Sequence, residues 1–186
     1  MQQHFVGELR NPIELLESNY NQTVKRHDET KPFVPPEQLR VGLFAQLQRL
    51  LRAKPPPRLI VRPYGSTLFA GGDIVSDLLH VLDLPLMEAA PQRVNASYTL
   101  DALEFKRHAN HFSLGPLQPI IDRALQAYRV GEQEYSLVPP ETYAALRDAC
   151  VEQLDQLIAA QGLSELVPLR DDLAQAPQRP YRPQRA

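Results

Sequence analysis

The sequence predicts an α/β fold, mostly helical, with a small parallel sheet formed by strands near residues 4–9 and 58–63. Three observations lead there. Two short runs, His4 to Leu9 and Arg58 to Pro63, are partly apolar or β-branched and are bounded by turn residues. Leucine-rich stretches with helical spacing lie between and after them. The 18 prolines cut the chain into separable pieces, because each removes an amide donor and ends or opens a helix. A strand, a helical crossover and a second strand is the order that parallel pairing needs.

The first strand, His-Phe-Val-Gly-Glu-Leu, runs directly into Arg10-Asn11-Pro12. Asn11 is placed as an N-cap, Pro12 at the first helical position and Glu14 at the third, where its carboxylate reaches back toward the cap. Ile13, Leu16, Tyr20 and Val24 then face the core, while Glu14, Ser18, Asn21 and Lys25 fall on a separate polar face. Cations at Lys25-Arg26-His27 suit the negative end of this helix.

Pro35-Pro36 opens a second helix over 37–52, striped by Leu39, Leu43, Leu47, Leu50 and Leu51, and Lys54-Pro55-Pro56-Pro57 stops it. After the second strand, the Gly71-Gly72-Asp73 turn starts a helix through Leu82, with Ile74, Leu78, Val81 and Leu82 as its core face. Thr99 caps a helix to about His111, and Pro116 to Tyr128 forms another. The last long helix, Pro140 to Gln161, carries Tyr143, Leu146, Cys150, Leu154 and Ile158 on one side. Residues 1–171 are therefore expected to form one domain, and the Pro/Arg-rich stretch 172–186 a disordered tail. No internal repeat is apparent.

With 20 basic and 22 acidic residues the chain has no global field to recruit nucleic acid or a membrane surface, so any anion site is local. The single cysteine, Cys150, has no disulfide partner and reads as a core residue, which points to a reducing, cytoplasmic setting. No apolar run approaches the roughly 18 residues of a membrane span. His108 and His111 are three apart but lack a third ligand, and Gly71-Gly72 lacks the lysine and serine of a phosphate loop, so no metal is expected.

The informative constellation is an arginine at a strand end, Arg10, and a serine two helical turns into the next helix, Ser18. A phosphate there would take a bidentate bond from the guanidinium and another from the hydroxyl, beside a helix start that favours anions. Such charge-assisted bonds each contribute about 1.5–3 kcal/mol. An alternative is a plain ion pair between Arg10 and Glu8, Glu14 or Glu17.

The segment from Glu8 to Arg26 resembles the 3′-phosphate-binding motif of the sulfotransferase family. In that family an Arg-Asn-Pro-like start and a serine eight residues after the arginine hold the 3′-phosphate of 3′-phosphoadenosine 5′-phosphosulfate (PAPS). Arg10 and Ser18 match in identity and spacing, and Lys25 and Arg26 add attraction. Looser similarity continues through Leu59 to Tyr64, Gly71 to Leu79, Asn95 to Asn110 and Leu137 to Glu141, so that it covers residues 4–160. The resemblance implies a P-loop-type fold, PAPS as sulfuryl donor, and a parent activity of sulfuryl transfer to an unidentified hydroxyl or amine acceptor.

A complete member of that family carries its 5′-phosphosulfate loop and catalytic base upstream of the motif. Nine residues precede Arg10, which predicts an amino-terminally incomplete chain without a catalytic residue of its own and inactive alone. The reading from a different class is a non-catalytic remnant or helical interaction module, whose uncovered sheet edge and apolar surface would favour self-association.

Overall fold

The computed structural model describes residues 4–39, 46–47, 49–50, 52, 58–65, 68–85 and 97–185. Most of the helix expected over 37–52, and the loop before Ser97, lie outside the described residues. The elements run β1 (His4–Leu9), α1 (Pro12–Arg26), β2 (Arg58–Pro63), α2 (Ile74–Val81), α3 (Leu100–Ala109), α4 (Gln118–Ala127), α5 (Pro140–Gln161) and α6 (Val167–Gln175). Among the described residues the fold is thus mixed α/β, with six helices and a two-stranded parallel sheet. β1 and β2 pair from His4 opposite Arg58 to Leu9 opposite Pro63. Proline is tolerated at that last position, where a missing donor interrupts no continuing ladder.

The chain divides into two compact units. The first comprises Met1–Pro12, Gln38–Gln92 and Leu146–Ala176, and the second Ile13–Glu37, Arg93–Ala145 and Pro177–Ala186. In the first unit, Leu9 and Val61 are buried in the strands, and Leu146, Cys150, Leu154 and Leu157 form the buried stripe of α5. Leu166, Leu169 and Leu173 are buried in and just before α6. Burial pushes the Cys150 thiol up to about 11, so at neutral pH it is an inert core group.

The helix α2 departs from expectation. Ile74, Leu78 and Leu82, predicted to face the core, are exposed, and the buried residue of the helix is Asp77, 1 % exposed. The Arg62 guanidinium decides this by donating to Asp77 through Nη2 at 2.7 Å and Nε at 3.2 Å, while the Ala70 amide donates to the same carboxylate at 2.8 Å. Three charge-assisted bonds hold the Asp77 face of the helix inward and leave Ile74, Leu78 and Leu82 partly exposed. The turn before α2 is as read: Gly71 and Gly72 have φ of 77° and 82°, and the Asp73 carboxylate accepts from the amides of Val75 and Ser76.

The second unit is built around Val24, Tyr98, Ala102, Leu103, Tyr135 and Leu137, with Tyr20, Phe33, Leu100 and Leu125 packed against them. Thr99 caps α3 by accepting from the Ala102 amide at 3.3 Å. Ile13 and Val24 of α1 are buried as expected, but so are Asn21 and Lys25, which the sequence places on the polar face.

Beyond Asp172 the sequence predicts a disordered tail, and here the structure differs. Residues 172–175 complete α6, and residues 177–185 lie along the second unit, Tyr181 forming a parallel bridge with Ser136. The physical reason is polar: the tail is held by the main-chain bonds at Ser136 and by side-chain bonds from Gln178, Arg179, Arg182 and Gln184.

Candidate functional site

Arg10 lies between β1 and α1, half-buried, with its guanidinium 5.7 Å from the centroid of the Tyr64 ring. Tyr64 is itself fixed by a hydrogen bond from its amide to the Leu9 carbonyl at 2.6 Å and by an edge contact with Phe69, ring centroids 5.2 Å apart. A guanidinium over a tyrosine face is attracted by the ring quadrupole. Glu8, one candidate partner for Arg10, has its carboxyl raised by burial and by the nearby charge of Asp77.

Ser18 stands half-buried in the second turn of α1. Glu17 beside it is committed elsewhere: its Oε1 accepts from Ser136 Oγ and the Leu137 amide, both at 2.7 Å, and its Oε2 from Arg179 at 2.5 Å. Arg10 falls in the first unit, and Ser18, Lys25 and Arg26 in the second.

Lys25 and Arg26 occupy the last turn of α1 and differ sharply. Arg26 is exposed, whereas Lys25 is 4 % exposed and sits 4.3 Å over the Tyr98 ring. Burial, reinforced by the Arg26 charge, brings the Lys25 ammonium down to about 8 despite the opposing pull of Asp122.

The structure brings Lys25 together with groups that the linear reading leaves apart. Tyr98 Oη donates to Asp122 Oδ1 at 3.4 Å, and the Tyr98 hydroxyl is raised by burial and by that carboxylate. Lys106, fully buried on α3, donates to Asn110 Oδ1 at 2.8 Å and lies 3.4 Å from Asp122. Asn110 in turn donates to the carbonyls of Val24 and Glu29 at 2.8 and 3.0 Å. Asn21 Oδ1 accepts from the Tyr98 amide at 3.3 Å.

A neighbouring node centres on Arg107, 2 % exposed. It donates to Glu104 at 2.9 Å, to the Thr30 carbonyl at 3.0 Å and to the Arg185 carbonyl at 2.6 Å. Among the described residues no buried side-chain nitrogen or oxygen lacks a partner. Asp122 thus pairs with the buried Lys106 and acts through its charge on the buried Lys25, in a polar core contributed by α1, α3 and α4 of this unit. The only sequence signal for it was the Lys106-Arg107 pair, which reads as a solvated patch until Asp122 and Glu104 are placed beside it.

His108 and His111 are exposed on or just past α3, and no group of three or more metal-ligating side chains occurs among the described residues. No helix there is long and apolar enough to cross a membrane. No family model, no curated protein and no solved structure matches this chain.

Proposed function

We propose that the chain binds the 3′-phosphate of a PAPS-type nucleotide through the Arg10–Ser18 segment, as the resemblance to the sulfotransferase family implies. The observation that carries this reading is the local setting of the motif. β1 delivers Arg10 directly to the Asn11-Pro12 start of α1, and β2 pairs parallel to β1. Two further facts support it. Glu17, the acidic neighbour of Ser18, is spent on Ser136, Leu137 and Arg179, and Arg10 is braced by an aromatic face. Arg26, exposed, adds a screened attraction, while Lys25, buried over Tyr98, acts through its field rather than by contact.

Sulfuryl transfer also needs a base and a cradle for the 5′-phosphosulfate, which this motif does not include, so the proposal concerns binding of the donor. Calorimetric titration of 3′-phosphoadenosine 5′-phosphate into the whole chain tests it. Saturable binding, weakened at least tenfold by Arg10→Ala and less by Ser18→Ala, is expected. A folded chain that releases or absorbs no heat and shows no binding by equilibrium dialysis overturns the reading.

A second reading, an interaction module, is favoured by one observation. Ile74, Val75, Leu78, Leu82 and Leu84 are all between 40 and 50 % exposed, a run of aliphatic side chains on and after α2. Sedimentation that reports a monomer at all concentrations, unchanged by Leu78→Glu, would remove self-association through this face.

A further inference from the structure

The last residues carry a triplet written three times: Pro177-Gln178-Arg179, Pro180-Tyr181-Arg182 and Pro183-Gln184-Arg185. A polyproline-type helix has three residues per turn, so each member of a triplet repeats on its own side. Burial follows that period: all three prolines are exposed, and Gln178, Tyr181 and Gln184 are all half-buried. The pairing chemistry follows it too.

The middle residues face inward. Gln178 donates to the Val138 carbonyl at 2.7 Å, Tyr181 bridges Ser136, and Gln184 accepts from the Phe33 amide at 2.6 Å while donating to Glu104. The arginines meet acceptors: Arg179 reaches Glu17 at 2.5 Å and Arg182 reaches Glu132 at 2.6 Å. At the third arginine the backbone takes over, the Arg185 carbonyl accepting from Arg107 at 2.6 Å. Ser136 completes the seat with both main-chain groups, its amide donating to Pro180 and its carbonyl accepting from the Arg182 amide, each at 2.9 Å.

The seat has supports outside the tail: Arg107 is held by Glu104 and the Thr30 carbonyl, and the Ser136 hydroxyl by Glu17. The occupant, by contrast, contributes almost no buried apolar side chain and is retained by polar bonds near solvent, which places it at the low-stability end of the unit. A shift by one triplet would return proline and arginine to the same positions while exchanging glutamine and tyrosine between them.

We propose that this unit carries a recognition seat for extended Pro-X-Arg peptides, lined by Glu17, Glu132, Ser136 and Arg107. Residues 177–185 occupy it as a tethered ligand, and an incoming peptide of the same pattern displaces them. The mode combines main-chain pairing with acidic clamps on the first two arginines, in the manner of extended-peptide readers. Because a short tether supplies an effective concentration in about the millimolar range, the tail is a strong competitor, and the seat responds only to a multivalent or abundant partner.

The test uses the whole chain and a fluorescent synthetic peptide with the sequence of residues 177–185. A chain carrying Arg179→Glu and Arg182→Glu, which weakens the tail and leaves the seat intact, should bind the peptide at least tenfold more tightly than the wild-type chain. Adding Glu17→Arg to it should abolish binding, and a peptide with glutamate in place of its first arginine should recover part of it. A concentration-dependent wild-type dimer lost in the Arg179→Glu, Arg182→Glu chain supports the seat and identifies a second copy's tail as the displacing peptide. Absence of peptide binding by that variant, with its circular dichroism unchanged, overturns the proposal. So does unprotected hydrogen exchange at the Ser136 and Arg182 amides of the wild-type chain, a readout that needs no variant to fold.

Discussion

Charged side chains inside the fold carry the clearest consequences at the residue scale. The folded ammonium of Lys25 lies near 8 and its ordinary value is 10.5, so between those pH values the unfolded chain binds more protons than the folded one. Stability attributable to Lys25 therefore rises as pH climbs from about 8 to 10.5, and is flat below, where both states are charged. Denaturant midpoints across this window should climb more steeply for the wild-type chain than for Lys25→Met, which cannot titrate. Identical slopes would show that the ammonium is solvated. Asp77 gives the same direction of pH dependence for a different reason, since here the fold favours the charged form. Its carboxyl is held below the usual carboxylate range, first by the hydrogen bond from Arg62, so its contribution is present above the ordinary value of 3.8 and is lost as pH falls through the folded value. Asp77→Asn should cost about 2–4 kcal/mol at pH 7, since it leaves Arg62 without its counter-charge, and should flatten the acid limb of the stability profile. None of this burial was legible in the sequence. Asn21 and Lys25 read as polar-face residues, and nothing local marks Lys106 or Asp77 as buried, because their partners Tyr98, Asp122 and Arg62 are remote along the chain and a charge enters a core only where a partner awaits it.

At the scale of elements, local chemistry reads well. The Asn11-Pro12 start, the Asp73 and Thr99 caps and the proline stops place α1, α2, α3 and α5 where the structure has them, because a cap or a proline acts on its own neighbours. Which face of a helix is buried is a different matter, as α2 shows. The turn before it offers a sharp test. A Cβ on Gly71 would meet Ser76 Cβ at 2.8 Å, whereas a Cβ on Gly72 meets nothing within 4 Å, although both residues have positive φ. Gly71→Ala should therefore lower stability by about 2 kcal/mol or more and Gly72→Ala by about 1 kcal/mol, read from chemical denaturation. Equal losses would mean that backbone strain alone is at work.

On the largest scale, the second unit is held together partly by contacts between segments far apart in the sequence. Glu17 gathers Ser136, Leu137 and Arg179 from segments more than 100 residues away. Glu17→Gln keeps the shape but removes the charge that all three donors share, and should lower stability by about 2 kcal/mol. The same substitution should speed exchange at the Ser136 amide, since the tail that covers it loses its first clamp. Unchanged exchange with reduced stability would separate the two roles of this carboxylate.

Local sequence suffices for the parallel strand pair, the strand-to-helix setting of Arg10 and the approximate spans of α1 to α5, though not for α6, over which it predicts no helix. These follow from propensity, capping and proline chemistry, all of which operate over a few residues. Tertiary structure alone divides the chain into two units, takes Asn11, Asn21, Lys25, Asp77, Lys106 and Arg107 off the surface, and seats the Pro-X-Arg triplets rather than leaving them loose. Composition judges a segment by the apolar area it can bury, and the tail has almost none. Its order comes instead from donors and acceptors whose partners lie in distant segments, and such complementarity exists only once those segments have been folded into place.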